Sequence, residues 1–304
     1  FFWAVDLGSD FEYNKKFGPL KRFQFAIADK LIYSKWREGL GGNLQIVVSG
    51  GASLQSRIAK VFGAAQIKVI EGYGLTETSP VIAVSNLVTM EVKIGTNGPV
   101  LPGIEVKIAE DGEILTKGPN LMLGYYKQPE LTNEAIDKDG WFHTGDVGML
   151  EDGKYLKITD RKKEIFKLSG GKYIAPQMIE NKLKESVLIE QAMVIGDHEK
   201  FASALISPNF EYLHECCSEN KILFNDNEEL ISHPKIISMI QKEVRDINKT
   251  LGQHEEIKRF KLVPDIWSPQ TGELSQTLKL RRKVVEAKYQ ELIDEIFANS
   301  KDEY

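Results

Sequence analysis

The chain has 304 residues and a mass of 34.3 kDa, which corresponds to about two domains of the usual ~100–200 residues each. Apolar side chains make up 42% of the residues, enough to form packed cores, so a disordered or collagen-like chain is excluded. With 39 basic and 44 acidic residues the net charge is -5, which gives no general attraction to nucleic acid or anionic lipid. We therefore expect no nucleic-acid partner.

Cysteine content and hydropathy indicate a protein of the cytoplasm. Cys216 and Cys217 are adjacent, which makes a disulfide between them implausible and is typical of a reducing compartment. No Cys-x-x-Cys pattern indicates a metal site, and neither a membrane-spanning run nor a signal-peptide pattern is present. The chain begins inside an apolar segment, residues 1–5, without an initiator methionine. We expect it to be a piece of a longer protein.

The first half predicts a parallel β-α-β unit followed by a small β subdomain. Residues 44–49 and 67–70 are typical of buried strands, and residues 53–62 have the pattern of an amphipathic helix opened by a cap at Ser53. After about residue 81, short runs alternate with tight turns, which predicts a β subdomain over about residues 85–158. Its strands are expected at residues 104–109, 113–117, 149–150 and 155–158.

A charged run at residues 160–164 separates this half from a second α/β region. Such a run indicates a boundary or hinge, although a solvated surface turn is the commoner explanation of the same pattern. We place one domain at residues 1–160 and a compact α/β domain at residues 161–304. Strands are expected in the second domain at residues 164–168, 191–195, 203–207 and 257–263, and helices at residues 176–185, 212–218, 234–251 and from 282 onward.

Two glycine-rich segments follow predicted strands and are candidates for contact with a ligand. Residues 49–52, Ser-Gly-Gly-Ala, would let a phosphate or a flat ligand approach the backbone, although an ordinary strand-to-helix turn would have the same sequence. Residues 72–78, Gly-Tyr-Gly-Leu-Thr-Glu-Thr, combine an aromatic that can stack on a base, hydroxyls suited to phosphate and a carboxylate that can hold Mg²⁺. A simple turn rarely needs all of these.

A third segment, residues 141–146, is Trp-Phe-His-Thr-Gly-Asp. It places Asp146 at the end of a glycine turn, where a carboxylate can accept both ribose hydroxyls, although an Asx turn would look the same. His143 receives no catalytic role, because no nucleophile stands near it in the sequence. Two basic clusters, residues 159–172 and 277–282, carry the lysine and arginine side chains that suit phosphate binding.

Taken in order, four of these motifs resemble the adenylate-forming superfamily of acyl-CoA synthetases, luciferases and peptide-synthetase adenylation domains. They are GYGLTET at 72–78, WFHTGD at 141–146, ITDRKKEIFKLSGGK at 158–172 and TLKLRR at 277–282. Residues 30–44 and 274–280 look most like the long-chain fatty acid CoA ligases. The resemblance implies an α/β fold, in which part of a large N-terminal domain (a parallel βα unit plus the β subdomain) is followed by a small mobile C-terminal domain.

The resemblance also implies roles for individual residues in the first half. Thr76 is expected to touch phosphate and Glu77 to hold Mg²⁺, while Asp146 is expected to bind the ribose hydroxyls with help from Arg161. Other positions border the adenine and acyl pockets or pack around adenine: Gly50, Gly51 and Ala52, then Gly72, Tyr73 and Gly74.

In the second half, the resemblance implies two lysines used at different steps. Lys279 matches the residue that contacts the substrate carboxylate and the α-phosphate during adenylation. Lys167 and the turn at Gly170 and Gly171 match the segment used for thioester formation with CoA, and Lys163 matches the hinge. The expected activity is therefore activation of a fatty acid by ATP to an acyl-adenylate, followed by thioester formation with release of AMP and pyrophosphate.

One motif of the superfamily is absent from the chain. The loop of the form T-S-G-T-T-G-x-P-K, which cradles the ATP phosphates, has no counterpart among the 304 residues. We therefore expect that a preceding N-terminal region is missing, that the chain is inactive alone, and that its incomplete sheet exposes apolar surface. A fatty acyl-AMP ligase that delivers to an acyl carrier protein and a non-catalytic truncated acyl- or nucleotide-binding protein are the alternatives. A fatty substrate is also compatible with peripheral contact with a membrane.

Overall fold

The computed structural model describes residues 1–298, which belong to two compact units. The first unit ends at Lys162 and the second begins at Lys163. Each unit has its own hydrophobic cores. The last six residues of the predicted C-terminal domain, 299–304, lie outside the described residues.

The first unit opens with helices that sequence patterns did not predict. They are α1 (Phe2–Gly8), α2 (Pro19–Ala28) and α3 (Ser34–Gly39), with a π-helical turn at Asp29–Tyr33 between the last two. Tyr33 is fully buried, and its hydroxyl donates a hydrogen bond to the Ala4 carbonyl oxygen at 2.6 Å. This contact ties α1 to the π-helical turn over a small core of Ala4, Leu7, Ala28, Tyr33, Ala65 and Ile67.

The predicted parallel unit is confirmed. Strand β1 (Ile46–Ser49) pairs in parallel with β2 (Lys68–Gly74) across helix α4 (Ser56–Ala64), and β3 (Val81–Val84) pairs antiparallel with β2. The predicted serine cap is wrong, because α4 begins at Ser56 after Gln55 and that N-cap makes no side-chain hydrogen bond. Strand β1 is the edge of this sheet, with Ile46 45% and Val48 66% exposed, so the expected exposed apolar surface is present.

The β subdomain is an antiparallel four-stranded sheet in the order β4-β5-β6-β7. Its strands are β4 (Glu105–Ile108), β5 (Glu113–Lys117), β6 (Phe142–Glu151) and β7 (Tyr155–Arg161), with α5 (Pro129–Ala135) between β5 and β6. The predicted glycine turn before Asp146 is wrong, because Asp146 lies inside β6. Gly145 has φ +68°, but the pairing with β5 is irregular there, so the positive φ accommodates a bulge and the chain does not reverse.

The second unit has a short hairpin followed by a three-stranded sheet covered by helices. Strands β8 (Phe166–Lys167) and β9 (Tyr173–Ile174) form the hairpin. Strand β10 (Ile189–Ile195) pairs antiparallel with β11 (Ser203–Pro208), which pairs in parallel with β12 (Arg259–Leu262). The helices are α6 (Pro176–Leu183), α7 (Phe210–Asn220), α8 (Asn227–Ser232), α9 (Pro234–Asn248), α10 (Arg282–Lys288) and α11 (Gln290–Ala298).

Side chains of the three-stranded sheet enter a hydrophobic core on each face. Val194 and Ile206 pack in the core that includes α6, α7 and α9, while Met193 and Leu205 pack in the core that includes α10 and α11. Because both faces are covered, β11 is buried along its whole length, and residues 192–195 of β10 are buried and apolar. Across residues 1–298, no helix is both long enough and apolar enough to cross a membrane.

Candidate functional site

The first unit brings together Tyr73, Asp146 and Arg161 from three different strands. The Tyr73 hydroxyl, near the end of β2, donates to Asp146 Oδ2 at 2.7 Å. Arg161 Nε, at the end of β7, lies 2.8 Å from Asp146 Oδ1, and register pairs these two residues directly. Asp146 is only 3% exposed. Both carboxylate oxygens are therefore held in place by a charged or a phenolic donor.

Burial determines the protonation state of the Tyr73 hydroxyl in this cluster. Burial, together with the negative charge of Asp146, raises the pKa of Tyr73 far above its usual range, so Tyr73 remains a hydrogen-bond donor at any ordinary pH. The Arg161 side chain is 47% exposed, in contrast to the buried Asp146. The cluster thus combines a fixed buried acceptor with a cation that solvent and ligands can reach.

A second network, which sequence patterns did not indicate, supports the bulge before Asp146. Glu113 is 4% exposed, and its Oε1 accepts the Gly145 backbone N–H at 2.9 Å. Its Oε2 accepts from Lys162 Nζ at 2.8 Å and lies 3.1 Å from His143 Nδ1. Burial opposes ionisation of this carboxyl, but the hydrogen bonds from Lys162 and His143 hold the pKa of Glu113 below its usual value. His143 therefore has a structural partner in the unit.

Gly72 and Gly74, the two glycines of the GYG motif (residues 72–74), lie within β2, and neighbouring atoms leave no room for a side chain at only one of them. A Cβ atom added at Gly74 would lie 1.7 Å from the Pro80 carbonyl oxygen, whereas one added at Gly72 would meet nothing closer than 3.5 Å. A 3₁₀ turn at Thr76–Thr78 follows. There, Glu77 Oε1 accepts a hydrogen bond from the Tyr125 hydroxyl at 2.9 Å, while Thr76 is exposed. Tyr125 was not among the predicted site residues.

The segment of Gly50, Gly51 and Ala52 is an exposed loop between β1 and α4. A Cβ atom on Gly50 would lie 3.5 Å from the Gly72 carbonyl oxygen, so this loop runs beside the GYG motif. The residue before that motif, Glu71, is 9% exposed, and its carboxylate accepts backbone N–H groups of Leu54 and Gly95. Burial raises the pKa of Glu71 to about 7. Glu71 thus fixes the end of the loop and titrates near neutrality.

The second unit presents its predicted lysines on exposed turns. Lys167 lies on β8 with its Nζ 5.4 Å from the centroid of the Tyr173 ring, and Gly170 and Gly171 form the turn between β8 and β9. Gly171 has φ +83°, which a glycine adopts easily, and no atom would crowd a Cβ atom on Gly170. Lys163 is the first residue of the unit and is also exposed.

Lys279 lies in a small hairpin that precedes α10. A bridge between Leu274 and Leu280 closes the hairpin, and Ser275 N donates to the Lys279 carbonyl oxygen at 2.8 Å. The Lys279 N–H in turn donates to Ser275 Oγ at 3.0 Å, and Leu278 between them has φ +59°. We call residues 274–280 the Lys279 hairpin. Its tip is exposed, so the lysine side chain is presented to solvent.

The chemistry of the first unit fits a nucleotide with its magnesium. Among residues 1–298, no cluster of three or more His, Cys, Asp or Glu side chains is placed to hold a metal ion. A Mg²⁺ held mainly by nucleotide phosphates needs only one or two protein carboxylates, and the half-buried Glu77 can supply one. The pair of fixed acceptor oxygens on Asp146 suits adjacent hydroxyls such as those of a ribose. These features suit a nucleotide-binding protein.

Comparison with protein families agrees with that class. Residues 16–126 match the family of AMP-binding enzymes, and residues 163–301 match the AMP-binding enzyme C-terminal domain. The chain belongs to the AMP-binding enzyme family. The second match begins at Lys163, which is also the first residue of the second compact unit.

Curated relatives include fatty-acid ligases. A long-chain-fatty-acid–CoA ligase of Mycobacterium tuberculosis is 39% identical over 281 residues, which are 92% of this chain and 46% of that protein. Long chain acyl-CoA synthetase 4 of Arabidopsis thaliana is 34% identical over 310 residues, covering 95% of this chain and 46% of the relative. The chain therefore spans about half the length of the curated relatives it matches.

Solved structures show the same fold. The adenylation domain of a carboxylate reductase from Mycobacterium chelonae matches 98% of this chain with a TM-score of 0.69 at 23% identity, using 45% of its own length. The adenylation and carrier didomain of a carboxylic acid reductase from Segniliparus rugosus, in complex with AMP, matches 98% with a TM-score of 0.66 at 25% identity, over 40% of its length. The mixed α/β fold of the chain is thus that of the C-terminal portion of adenylate-forming enzymes.

Proposed function

We propose that the protein containing this chain activates a long-chain fatty acid with ATP and transfers the acyl group to CoA. In the first step, a fatty-acid carboxylate oxygen attacks the α-phosphorus of ATP, and pyrophosphate leaves. In the second, the CoA sulfur attacks the acyl carbonyl carbon, AMP leaves, and the thiol proton is lost. This reaction is supported by relatives that are 33–39% identical to this chain and are named as fatty-acid–CoA ligases or acyl-CoA synthetases.

The observation that carries the proposal is the buried Asp146 held between Tyr73 and Arg161. A carboxylate with both oxygens fixed can accept the two ribose hydroxyls with their remaining lone pairs and without reorganisation on binding. We assign Asp146 to the ribose, with Arg161 assisting it. Gly50, Gly51 and Ala52 would border the adenine and acyl pockets, and Gly72, Tyr73 and Gly74 would pack around adenine. Thr76 would touch phosphate.

Glu77 would hold the Mg²⁺ that accompanies ATP, and Tyr125 orients its carboxylate. When bound, the ion neutralises charge on the phosphates. In the second unit, Lys279 would supply a positive charge for the substrate carboxylate and the α-phosphate during adenylation. Lys167, with the turn at Gly170 and Gly171, would serve thioester formation, and Lys163 would be the hinge about which the C-terminal domain turns between the two steps.

We further propose that the 304-residue chain is inactive alone. It spans less than half of its curated relatives, and no phosphate-binding loop of the superfamily form occurs in it. An acyl carrier protein as the acceptor in place of CoA, and a non-catalytic acyl- or nucleotide-binding role, remain the competing proposals. The cationic segment around Lys167 favours CoA, because its phosphates attract ammonium groups.

The test is ATP–pyrophosphate exchange driven by palmitate, measured on the protein expressed from its complete gene and on the 304-residue chain. We expect exchange by the former only. Lys279→Ala should lower exchange by about 100-fold or more, since a charge aimed at the developing transition state is lost. Lys167→Ala should leave exchange nearly unchanged and slow thioester formation from supplied acyl-adenylate.

Two results would contradict the proposal. Absence of palmitate-dependent exchange by the complete protein would remove the ligase assignment and favour a binding role. Transfer to an acyl carrier protein without transfer to CoA would keep the adenylation step but change the acceptor.

A further inference from the structure

A largely buried arginine, Arg282, lies three residues after Lys279, at the first position of α10. The Arg282 side chain is 15% exposed and contacts two carboxylates. Its Nε donates to Glu164 Oε2 at 2.9 Å, and its Nη2 donates to Glu180 Oε2 at 2.8 Å. A planar guanidinium that bonds to two carboxylates at once fixes their relative position better than a lysine would.

Both carboxylates are themselves fixed by neighbours of the same unit. Glu180 lies on α6 with its side chain 6% exposed, and its Oε1 accepts the Val194 backbone N–H of β10 at 2.7 Å. Glu164 is the second residue of the unit and accepts from Gln177 Nε2 of α6 at 2.8 Å. Through Arg282, the start of α10 is therefore bonded to the segment directly after Lys163, to α6 and to β10.

The other end of the Lys279 hairpin is held by a second ion pair. Glu273, which immediately precedes the hairpin, is 1% exposed and accepts from Lys288 Nζ of α10 at 2.8 Å. Its carbonyl oxygen also accepts the Arg281 N–H at 2.8 Å. The exposed hairpin thus has the buried, ion-paired Glu273 before it and the largely buried Arg282 after it. Loss of either charge would loosen the base.

We propose that Arg282 and Glu164 are positioning residues that fasten the Lys279 hairpin to the segment directly after Lys163, so that both segments move as one body. This rests on the proposed function for the roles of Lys279 and Lys163. A backbone rotation at Lys163 is then passed to the Lys279 ammonium group without a flexible joint in between. The two bonded residues are 118 positions apart in the sequence.

The first experiment is hydrogen–deuterium exchange on the 304-residue chain. Glu164, in the segment after Lys163, is mutated, and exchange is measured in the Lys279 hairpin. Glu164→Ala should accelerate exchange of the hydrogen-bonded hairpin amides, Ser275, Leu278 and Lys279, by about 5–10-fold, as expected for one lost charge-assisted hydrogen bond. Glu164→Gln keeps an acceptor oxygen and should restore most of the protection. The exposed Glu190→Ala is the matched control and should change nothing.

Glu164→Ala is preferred to a substitution of Arg282, because it leaves Arg282 paired with Glu180 and keeps the unit folded. Arg282→Lys, which retains the charge but loses the two-way geometry, should accelerate both the hairpin amides and those of residues 166–168. Acceleration confined to the mutated segment in each variant would overturn the proposal, since it would show that the two segments open independently.

The second experiment separates positioning from simple destabilisation in the protein expressed from its complete gene. Glu164→Ala should lower kcat of palmitate-dependent pyrophosphate exchange by about 10-fold with KM for ATP within twofold, and Glu164→Gln should recover most of kcat. Thioester formation from supplied acyl-adenylate should stay within twofold. Equal loss in both steps would overturn the proposal. If the unmutated protein shows no exchange, the proposed function fails, while deuterium exchange still decides whether the connection exists.

Discussion

The two units support their candidate functional groups in opposite ways. In the first, Tyr73 and Arg161 bond directly to Asp146, which is buried on a long strand. In the second, Lys167 and Lys279 are exposed on short hairpins, and the partly buried ion pair of Arg282 with Glu164 holds the base of the Lys279 hairpin. A group that binds the same part of a ligand throughout binds more tightly when it is already held in place. A group required at only one step must be able to reach the substrate, so it is better placed on an exposed turn with a rigid base. The same contrast appears in the glycines of the two units.

Gly74→Ala should have the largest effect, because it breaks the crowded arrangement of the first unit. The added Cβ atom would lie 1.7 Å from the Pro80 carbonyl oxygen, so β2 and the following turn would have to separate. We expect a loss of more than about 4 kcal/mol in the unfolding free energy of this unit. Calorimetric unfolding of the chain measures it. Gly72→Ala, with no atom closer than 3.5 Å, is the control, and equal losses in both variants would contradict the steric explanation.

The buried Glu71 should make the first unit less stable as pH rises. Burial raises its pKa from 4.5 to about 7, so the folded state binds the proton more tightly than the unfolded state. The associated stability is present below about pH 4.5 and is lost as pH rises through about 7, up to about 3 kcal/mol. The free energy of unfolding, measured from pH 5 to pH 8, should therefore fall more steeply for the unmutated chain than for Glu71→Gln. Parallel curves would show that Glu71 is not the group responsible.

Asp146→Asn tests whether the preformed acceptor binds nucleotide. Replacing the carboxylate leaves Tyr73 and Arg161 without their anionic partner and removes an acceptor for the ribose hydroxyls. We expect AMP affinity in the protein from its complete gene to fall about 100-fold, or about 2.7 kcal/mol, by titration calorimetry. Asp139→Asn removes an exposed carboxylate of the preceding loop and should leave affinity unchanged. Unaltered affinity in Asp146→Asn would place the nucleotide elsewhere.

The smallest effects are expected at the open glycine turn of the second unit. Gly171→Ala should cost about 1 kcal/mol, because φ is +83° there, and Gly170→Ala should cost less than about 0.5 kcal/mol, because nothing lies within 4 Å of its added Cβ atom. Chemical unfolding of both variants tests the difference. A large loss of stability in Gly170→Ala would mean that this turn is as constrained as β2 is at Gly74.

Much of the fold could be predicted because periodicity and turn residues are local. The parallel pairing of β1 with β2 and the hairpins of the β subdomain were predicted from apolar runs and the tight turns between them. The helices α1 to α3 were not, because short helices in this region depend on contacts such as that of Tyr33 with Ala4. The first part of the strand containing Asp146 was predicted as a turn, since a glycine with positive φ serves both a turn and a bulge, whereas residues 149–150 were predicted correctly as strand.

The candidate site divides in the same way. Tyr73, Asp146, Arg161 and Lys279 were chosen from motifs whose residue types suit nucleotide and phosphate chemistry. Glu113, Tyr125 and Glu71 were missed, because nothing in a local pattern shows that a glutamate is buried or that a tyrosine reaches a distant carboxylate. Glu113 and Gly145 are 32 positions apart, and Glu77 and Tyr125 are 48 positions apart.

By itself, the sequence determined which chemical groups are available and the order in which strands, turns and motifs follow one another. The tertiary structure alone decided which of these groups come into contact, which are buried and which lie on segments held by buried or partly buried ion pairs. The physical reason is that propensity and periodicity act over a few residues, whereas ion pairs such as Arg282 with Glu164 and Glu180 need side chains more than 100 positions apart to be desolvated together.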